Sequence, residues 1–209
     1  MSRLSPLLLL TLTLALSACA DNRRMLAAEV AGGARLAGAW VPAQTTRLMT
    51  WSRMATPGEP LTVYIEGDGF AYETAYRPSP DPTPRNPMVL RLAALHQGDN
   101  VAYLARPCMY SDPERPLPEC GSNGWWTLGR FSEEVVQAMD LALTDLKKKA
   151  RAPRLHLVGY SGGGAIAALL AARRADIASL RTLAGNLDHA AFTRFHKVTP
   201  LSKSLNPLQ

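Results

Sequence analysis

The residues Gly159-Tyr160-Ser161-Gly162-Gly163 place a serine among closely spaced glycines, a spacing that suits a nucleophile. An apolar run, 155–158, precedes them, and a run of small residues beginning at Ala165 follows them. A strand, a sharp turn and a helix in this order form a nucleophile elbow, which lifts a serine hydroxyl above a sheet edge. Glycines are needed because side chains at the flanking positions would collide with the adjacent strand and helix. The alternative interpretation is a glycine-rich strand–helix turn whose serine has no chemical role.

Predicted strands and helices alternate on both sides of this motif. We predict strands at 35–41, 47–52, 61–65, 101–105 and 155–158, another beginning at 180, helices at 88–95 and 165–174, and a helix capped by Ser132. Alternation through 61–185 predicts a mostly parallel sheet with helices on both faces. Met88, Leu92 and Leu95, with Val89 flanking them, form the predicted apolar face of their helix. Five prolines within 77–87 predict an irregular surface loop, either covering a site or serving as a stiff connector.

The chain resembles the α/β-hydrolase superfamily, and more closely bacterial α/β-hydrolase lipoproteins of unassigned substrate, over about Leu61 to Leu205. The resemblance is carried by the elbow and by Tyr64-Ile65-Glu66-Gly67-Asp68-Gly69, Ala105-Arg106-Pro107-Cys108 and Ala184-Gly185-Asn186-Leu187-Asp188-His189. It implies that Ser161 is the nucleophile and that the backbone N–H groups of Gly162 and Asp68 hold the oxyanion. Glu66 stands where that superfamily usually has a histidine.

The same resemblance implies an acid and a histidine after the nucleophile. Only 48 residues follow Ser161, whereas the superfamily has two further strands and both partners in that part of the chain. We therefore expect a sheet that lacks its last strands, in a chain that is either truncated or uses substitutes. The substitutes that keep the order are Asp188 as acid and His196 as base. His189 and His196 also suit ordinary loop or helix-cap positions.

Residues 1–18 have the layout of a secretory signal, with Arg3 followed by an apolar core too short to span a membrane as a helix. The segment runs into Leu16-Ser17-Ala18-Cys19, which resembles the bacterial lipobox. That resemblance implies an acylated Cys19 as the new N-terminus, held at the cell envelope by lipid. Ala20 follows instead of an aspartate, which favours the outer membrane. The alternative is a plain signal peptide with a chance cysteine.

Export also bears on Cys108 and Cys120. They are twelve residues apart, and in an oxidising compartment they most simply form a disulfide. Two sulfurs without a nearby histidine do not make a zinc site. We predict no metal and no organic cofactor, because Gly162-Gly163-Gly164 lacks the Lys-Ser/Thr pair of a nucleotide-binding loop.

The composition is that of a globular protein, with 47% hydrophobic and 19% charged residues among 209. The net charge of +6 includes Lys147, Lys148 and Lys149 at a predicted helix end, where the helix dipole favours cations. No basic stripe with interleaved aromatic residues is present, which argues against nucleic-acid binding. The predicted organisation is a signal peptide at 1–18, an N-terminal tether at 19–34 and an α/β-hydrolase-like domain at 35–209, incomplete at its C-terminus.

Together these features predict a lipid-anchored serine hydrolase of the cell envelope that cleaves a small-molecule ester, thioester or amide. The alternative is a catalytically inactive or truncated lipoprotein of the same fold that has a binding role only.

Overall fold

A mixed sheet of six strands organises the part of the chain that the computed structural model describes, residues 22–111, 120–121 and 124–209. The strands are β1 Ala37–Ala43, β2 Thr46–Met54, β3 Leu61–Ile65, β4 Asn100–Leu104, β5 Leu155–Tyr160 and β6 Ile177–Leu183. They lie in the order β1-β2-β4-β3-β5-β6. The predicted fold class, an α/β fold with a mostly parallel sheet, is confirmed.

The pairing of the strands determines which residues meet at one edge. The parallel part of the sheet consists of β4, β3, β5 and β6. β2 pairs antiparallel with β4, and β1 pairs antiparallel with β2. In the register, Ile65 of β3 faces Leu104 of β4 on one side and Gly159 of β5 on the other. The segments that follow these three strands therefore leave the sheet at the same edge, where α/β folds usually bind ligands.

Helices cover both faces of the sheet. They are α1 at 22–33, α2 Met88–Ala94, α3 Glu133–Ala150, α4 Gly162–Arg173 and α5 His189–His196. One core lies between the sheet, α3 and α4, and the second lies between the sheet, α1 and α2. β4 contributes to both cores, with Ala102 and Leu104 in the first and Val101 and Tyr103 in the second, because successive strand residues point to opposite faces.

The start of α3 follows the predicted cap. The Ser132 hydroxyl oxygen accepts a hydrogen bond from the Val135 N–H at 3.4 Å, and Glu133 and Glu134 lie in the first turn. Lys147, Lys148 and Lys149 occupy the last turn, as the helix dipole favours. The prediction for this helix is confirmed.

The predicted N-terminal tether at 19–34 needs correction where the structure describes it. Residues 22–33 form α1, in which Ala27 and Ala31, one helical turn apart, are fully buried against the second core. The small side chains let the helix approach the sheet closely, so this segment belongs to the folded domain. The predicted signal peptide and Cys19 lie outside the described residues. No helix of the described chain is long and apolar enough to span a membrane.

The predicted buried face of α2 is wrong. Val89, Leu90 and Ala93 are buried, whereas Met88 and Leu95 are 37% and 70% exposed. The segment 88–95 is apolar on nearly every side, so periodicity alone could not choose a face. The choice is made by the contacts of α2 with β3 and β4.

The proline-rich segment at 77–87 is irregular, as predicted, but it is more than a surface loop. Pro82, Thr83, Pro84 and Pro87 are buried. The Phe70 N–H donates to the Pro82 carbonyl at 2.9 Å, which fastens this segment to the turn after β3. The loop therefore borders the carboxyl edge of the sheet.

The structure contains the predicted disulfide between Cys108 and Cys120. Cys108 packs with Ala71 and Trp126 in a small third cluster of buried side chains. The disulfide thus attaches the segment after β4 beside the same edge of the sheet.

Candidate active site

Ser161 lies between the last residue of β5 and the first residue of α4. Its backbone has φ 50° and ψ −120°, a conformation that non-glycine residues rarely adopt. Neighbouring backbone groups hold it there: the Ser161 N–H donates to the Leu183 carbonyl at 2.9 Å, and the Ser161 carbonyl accepts from the Asn186 N–H at 3.0 Å. This is the sharp strand–helix turn that the sequence predicts.

Two glycines of the motif allow the strand, the turn and the helix to pack closely. A Cβ atom on Gly159 would lie 2.3 Å from the Gly163 carbonyl oxygen. A Cβ atom on Gly163 would lie 2.4 Å from the carbonyl oxygens of both Ile65 and Glu66, at the end of β3. Because these obstacles are backbone atoms, only glycine fits without moving α4 away from the sheet.

The turn after β3 lies directly beside Ser161. A Cβ atom on Gly67 would lie 3.5 Å from the Ser161 Cβ atom. The backbone N–H groups of Asp68 and Gly162 donate no hydrogen bond to any other residue that the structure describes. Two unpaired donors therefore lie on the two turns that meet at Ser161, as an oxyanion site requires.

Glu66 positions the turn after β3 by hydrogen bonds of its side chain. Its side chain is only 3% exposed, with Oε1 accepting from the Gly67 N–H and Oε2 accepting from the Tyr103 hydroxyl, both at 2.9 Å. Burial raises the pKa of Glu66 to about 7, although both hydrogen bonds and the charge of Arg106 act to lower it. Glu66, which stands where the superfamily usually has a histidine, thus positions the turn after β3 through the Gly67 N–H.

Asp68 is held by two arginines. Its Oδ2 lies 2.7 Å from Arg130 Nη1, and its Oδ1 lies 3.5 Å from Arg106 Nη1. Sequence reasoning did not assign either arginine to the site. The sequence could have indicated Arg106, because it closely follows an apolar strand, β4, that ends at this edge. Arg130 lies in a loop, where no local pattern indicates a site residue.

Comparison with solved structures shows the fold. The chain superposes on a bacterial membrane phospholipase A described as a virulence factor, with a TM-score of 0.51, 23% identity, and coverage of 87% of this chain and 52% of that one. It also superposes on an esterase from Pyrococcus furiosus, with a TM-score of 0.50, 11% identity, and coverage of 83% and 64%. The chain has the α/β-hydrolase fold. It spans about half the length of the phospholipase. No family model and no curated protein sequence matches it.

Within this α/β-hydrolase fold, Asp188 and His196 do not form the predicted acid–base pair. Asp188 caps α5, where its Oδ1 accepts from the Ala190 and Ala191 N–H groups and from Asn206. The hydrogen bond from Asn206 is the main reason that the pKa of Asp188 is lowered. His196 is the last residue of α5 and is exposed. Eight residues at 1.5 Å each separate the two by about 12 Å along the helix axis.

Each of the four histidines has its contacts away from Ser161. His196 packs on the rings of Phe192 and Phe195, with centroids 4.4 and 5.0 Å away. The remaining pairs are His189 Nε2 with the Ser204 carbonyl at 3.3 Å, His156 Nδ1 with the Ser179 hydroxyl at 2.7 Å, and His96 Nδ1 with the Tyr64 hydroxyl at 3.2 Å. Within the described residues, no histidine hydrogen-bonds to Ser161.

A cavity of about 480 Å³ lies between the loop after β3, the segment before α3 and α5. Most of its wall is apolar, with Tyr72 and Pro78 from the loop after β3, Leu128 from the segment before α3, and Phe192 and Val198 from α5 and the chain beyond it. Arg130 forms part of the same wall and reaches Asp68 at the elbow. The cavity therefore borders the candidate site. No cluster of three or more potential metal ligands is found among the residues that the structure describes.

Replacing Glu66 with glutamine is expected to remove a pH dependence of stability. In the unfolded chain Glu66 ionises near its ordinary pKa of 4.5, whereas in the folded chain it ionises near 7. The folded state therefore binds more protons between these values, and stability should fall by about 3 kcal/mol as pH rises through this window. Glutamine keeps an acceptor for the Gly67 N–H and a polar partner for Tyr103. Urea unfolding at pH 5 and pH 8 measures the difference.

The expected result is that the parent loses about 2.5 kcal/mol more than Glu66→Gln between these two pH values. A Glu133→Gln variant is the control, because Glu133 is exposed and pairs with Arg173 at the end of α4 opposite the elbow. Equal pH slopes for the parent and Glu66→Gln would contradict the assignment.

Proposed function

We propose that this chain is a serine hydrolase that cleaves an ester, thioester or amide through Ser161. The observation that carries the proposal is the strained backbone of Ser161 beside two N–H groups, those of Gly162 and Asp68, that donate to no other described residue. Strain of this kind is retained at functional sites, where the surrounding structure compensates for it.

The proposed reaction is acyl transfer. The Ser161 hydroxyl oxygen attacks the carbonyl carbon of the substrate while a base takes its proton, and the carbonyl oxygen becomes an oxyanion. The N–H groups of Gly162 and Asp68 stabilise this oxyanion, and the N-terminus of α4 adds a partial positive charge. The alcohol, thiol or amine then leaves, and water releases the acyl group from Ser161.

The cavity that Arg130 connects to Asp68 supports a substrate that has an apolar group. Its wall is built mainly from aromatic and aliphatic side chains, and a cavity of this kind binds ligands by burying apolar surface. We propose that the apolar part of the substrate lies in this cavity. No cofactor takes part in the proposed reaction.

A fluorophosphonate probe tests the proposed function. Such probes phosphonylate activated serines, so the purified protein should gain one adduct, which peptide mass spectrometry locates on Ser161. Because His196 is exposed at the far end of α5, His196→Ala should leave the labelling rate unchanged. Labelling lost in His196→Ala but not in other α5 variants would instead support the Ser161–Asp188–His196 triad.

The positions of the histidines favour a second candidate, an α/β-hydrolase fold that binds its ligand without cleaving it. A serine without a base is a weak nucleophile, and the histidine side chains of this chain have other partners. The same probe separates the candidates, since a protein with a binding role only would show no adduct on Ser161.

We further propose that the protein is exported and anchored to the outer membrane, facing the periplasm, through a lipid on Cys19. The lipobox-like sequence supports this proposal. The position of α1 indicates where such an anchor would lie relative to the candidate site. The Arg23 guanidinium lies 5.1 Å from the centroid of the Phe70 ring and donates to the Thr83 carbonyl at 3.1 Å. The first described residues thus lie beside the loops that border the candidate site.

An alkyne fatty acid fed to expressing cells tests the anchor. The parent should incorporate the label and Cys19→Ser should not, because acylation needs that thiol. A Cys108→Ala/Cys120→Ala protein is the control and should remain labelled. Label retained by Cys19→Ser would contradict the proposal.

A further inference from the structure

Asp68, Arg106 and Arg130 form a charged cluster beside Ser161, which we call the arginine clamp. Arg130 Nη1 lies 2.7 Å from Asp68 Oδ2, and Arg106 Nη1 lies 3.5 Å from Asp68 Oδ1. Arg106 Nη2 also donates to the Arg130 carbonyl, so the two arginines are joined to each other. The clamp thereby ties the turn after β3 to the segments after β4 and before α3.

The carboxylate of Asp68 lies against the proposed oxyanion site. A Cβ atom on Gly162 would lie 2.0 Å from Asp68 Oδ1 and 2.6 Å from Asp68 Cγ. The carboxylate therefore occupies the space of a side chain at position 162. This contact explains why the residue after Ser161 is glycine and shows that the turn after β3 touches the start of α4.

A carboxylate at this place needs compensation. A negative charge next to a developing oxyanion disfavours the oxyanion, and solvent screens this charge only partly because the Asp68 side chain is 19% exposed. The side chains of Arg106 and Arg130 are 4% and 13% exposed, and together with Asp68 they carry a net charge of +1. Both arginines have further support, since Arg106 lies over the ring of Phe131 and Arg130 Nε donates to the Thr127 carbonyl at 2.7 Å.

We propose that Arg130 and Arg106 are positioning residues, which hold the Asp68 side chain so that its backbone N–H is directed at the oxyanion. The inference rests on the proposed function of Ser161. It adds to that function the residues that orient one of the two oxyanion donors, the Asp68 N–H. Arg130 acts through Asp68 and also forms part of the cavity wall, so the clamp connects the substrate cavity to the oxyanion site.

Three variants test the clamp with a small soluble ester as substrate: Arg130→Ala, Asp68→Ala, which keeps the backbone N–H, and the double variant. Arg130→Ala should lower kcat by about 10²-fold, the usual effect of misplacing a catalytic group by about 1 Å, and KM should change less than about 3-fold. Asp68→Ala should also lower kcat, but by less, because it removes the negative charge beside the oxyanion together with the side chain that fixes the N–H. Because both act on the same donor, the double variant should be no slower than the slower single variant. Ethylguanidinium added to Arg130→Ala should restore part of kcat.

Arg174→Ala is the matched control. The Arg174 side chain is 12% exposed and also binds carboxylates, those of Asp140 and Asp176, but it lies at the other end of α4, about 20 Å from Ser161 along the helix axis. It should lower the melting temperature as Arg130→Ala does and leave kcat unchanged.

Three results would overturn the proposal: kcat of Arg130→Ala within 3-fold of the parent, a rise in KM alone, which would mean direct substrate binding, or multiplicative losses in the double variant. A parent with no Ser161-dependent turnover would overturn the proposed function itself. If the parent turns over the ester and any of the three results is observed, the positioning role of the arginines is disproved and the proposed function of Ser161 stands.

Discussion

Ester hydrolysis by Ser161→Ala is expected to be at least about 10⁴-fold slower than that of the parent, with an unchanged fold. Alanine removes the hydroxyl that forms the covalent intermediate, and the remaining N–H donors can only stabilise an attack by water. Alanine adopts the strained backbone of position 161 no more easily than serine does, so the melting temperature should stay close to that of the parent. Initial rates on a soluble chromogenic ester measure the effect.

The control for this variant is Ser179→Ala. Ser179 lies in β6, where its hydroxyl bonds to His156 Nδ1 near the opposite end of the parallel strands. It should keep the parent's rate. Equal residual rates for Ser161→Ala and the parent would assign the hydrolysis to another group and leave the binding role as the better description of the fold.

Gly163→Ala is expected to destabilise the protein by about 3 kcal/mol or more, a large share of the stability of a domain of this size. The added methyl would lie 2.4 Å from two backbone carbonyl oxygens at the end of β3. The strand cannot yield without breaking its pairing with β4 and β5, so α4 has to move. That movement would also shift Ser161. The free energy of unfolding in urea and the rate of probe labelling at Ser161 should therefore decline together.

Gly32→Ala provides the control for the added methyl. Gly32 lies in α1 and is exposed, and a Cβ atom there has no neighbour within 4 Å. The substitution should stabilise the protein by about 0.5–1 kcal/mol, the usual difference between the two residues in a helix. A Gly163→Ala protein as stable as the parent would show that the elbow tolerates a wider separation of α4 and β3.

Local sequence predicted the elements of this fold because their signals lie within a few residues. The prediction for β3, at 61–65, agrees with the structure, and Ser132 caps α3 as its hydroxyl and the following glutamates indicate. The predicted face of α2 was wrong since the whole segment is apolar and offers no contrast. The tether prediction was wrong in 22–33 because the buried residues there, Ala27 and Ala31, have little apolar surface, and only the sheet that they pack on makes this segment a core helix.

Local sequence likewise predicted one part of the candidate site and failed to predict the other. Gly159, Ser161 and Gly163 were recognisable because a sharp strand–helix turn imposes its steric demands on adjacent residues. Asp188 and His196 followed a correct order along the chain, but a helix holds residues eight positions apart at its two ends, so order did not bring them together.

The sequence by itself determined the alternation of strands and helices, the elbow and the pair of cysteines, because each depends on neighbouring residues or on pairing in one loop. Only the tertiary structure decided that Glu66 supports the turn after β3, and that Asp68 lies between Arg106 and Arg130 against Gly162. The contacts of Asp68 join segments 38 to 94 positions apart, and no local pattern records which distant side chains the packing of a sheet brings to one edge.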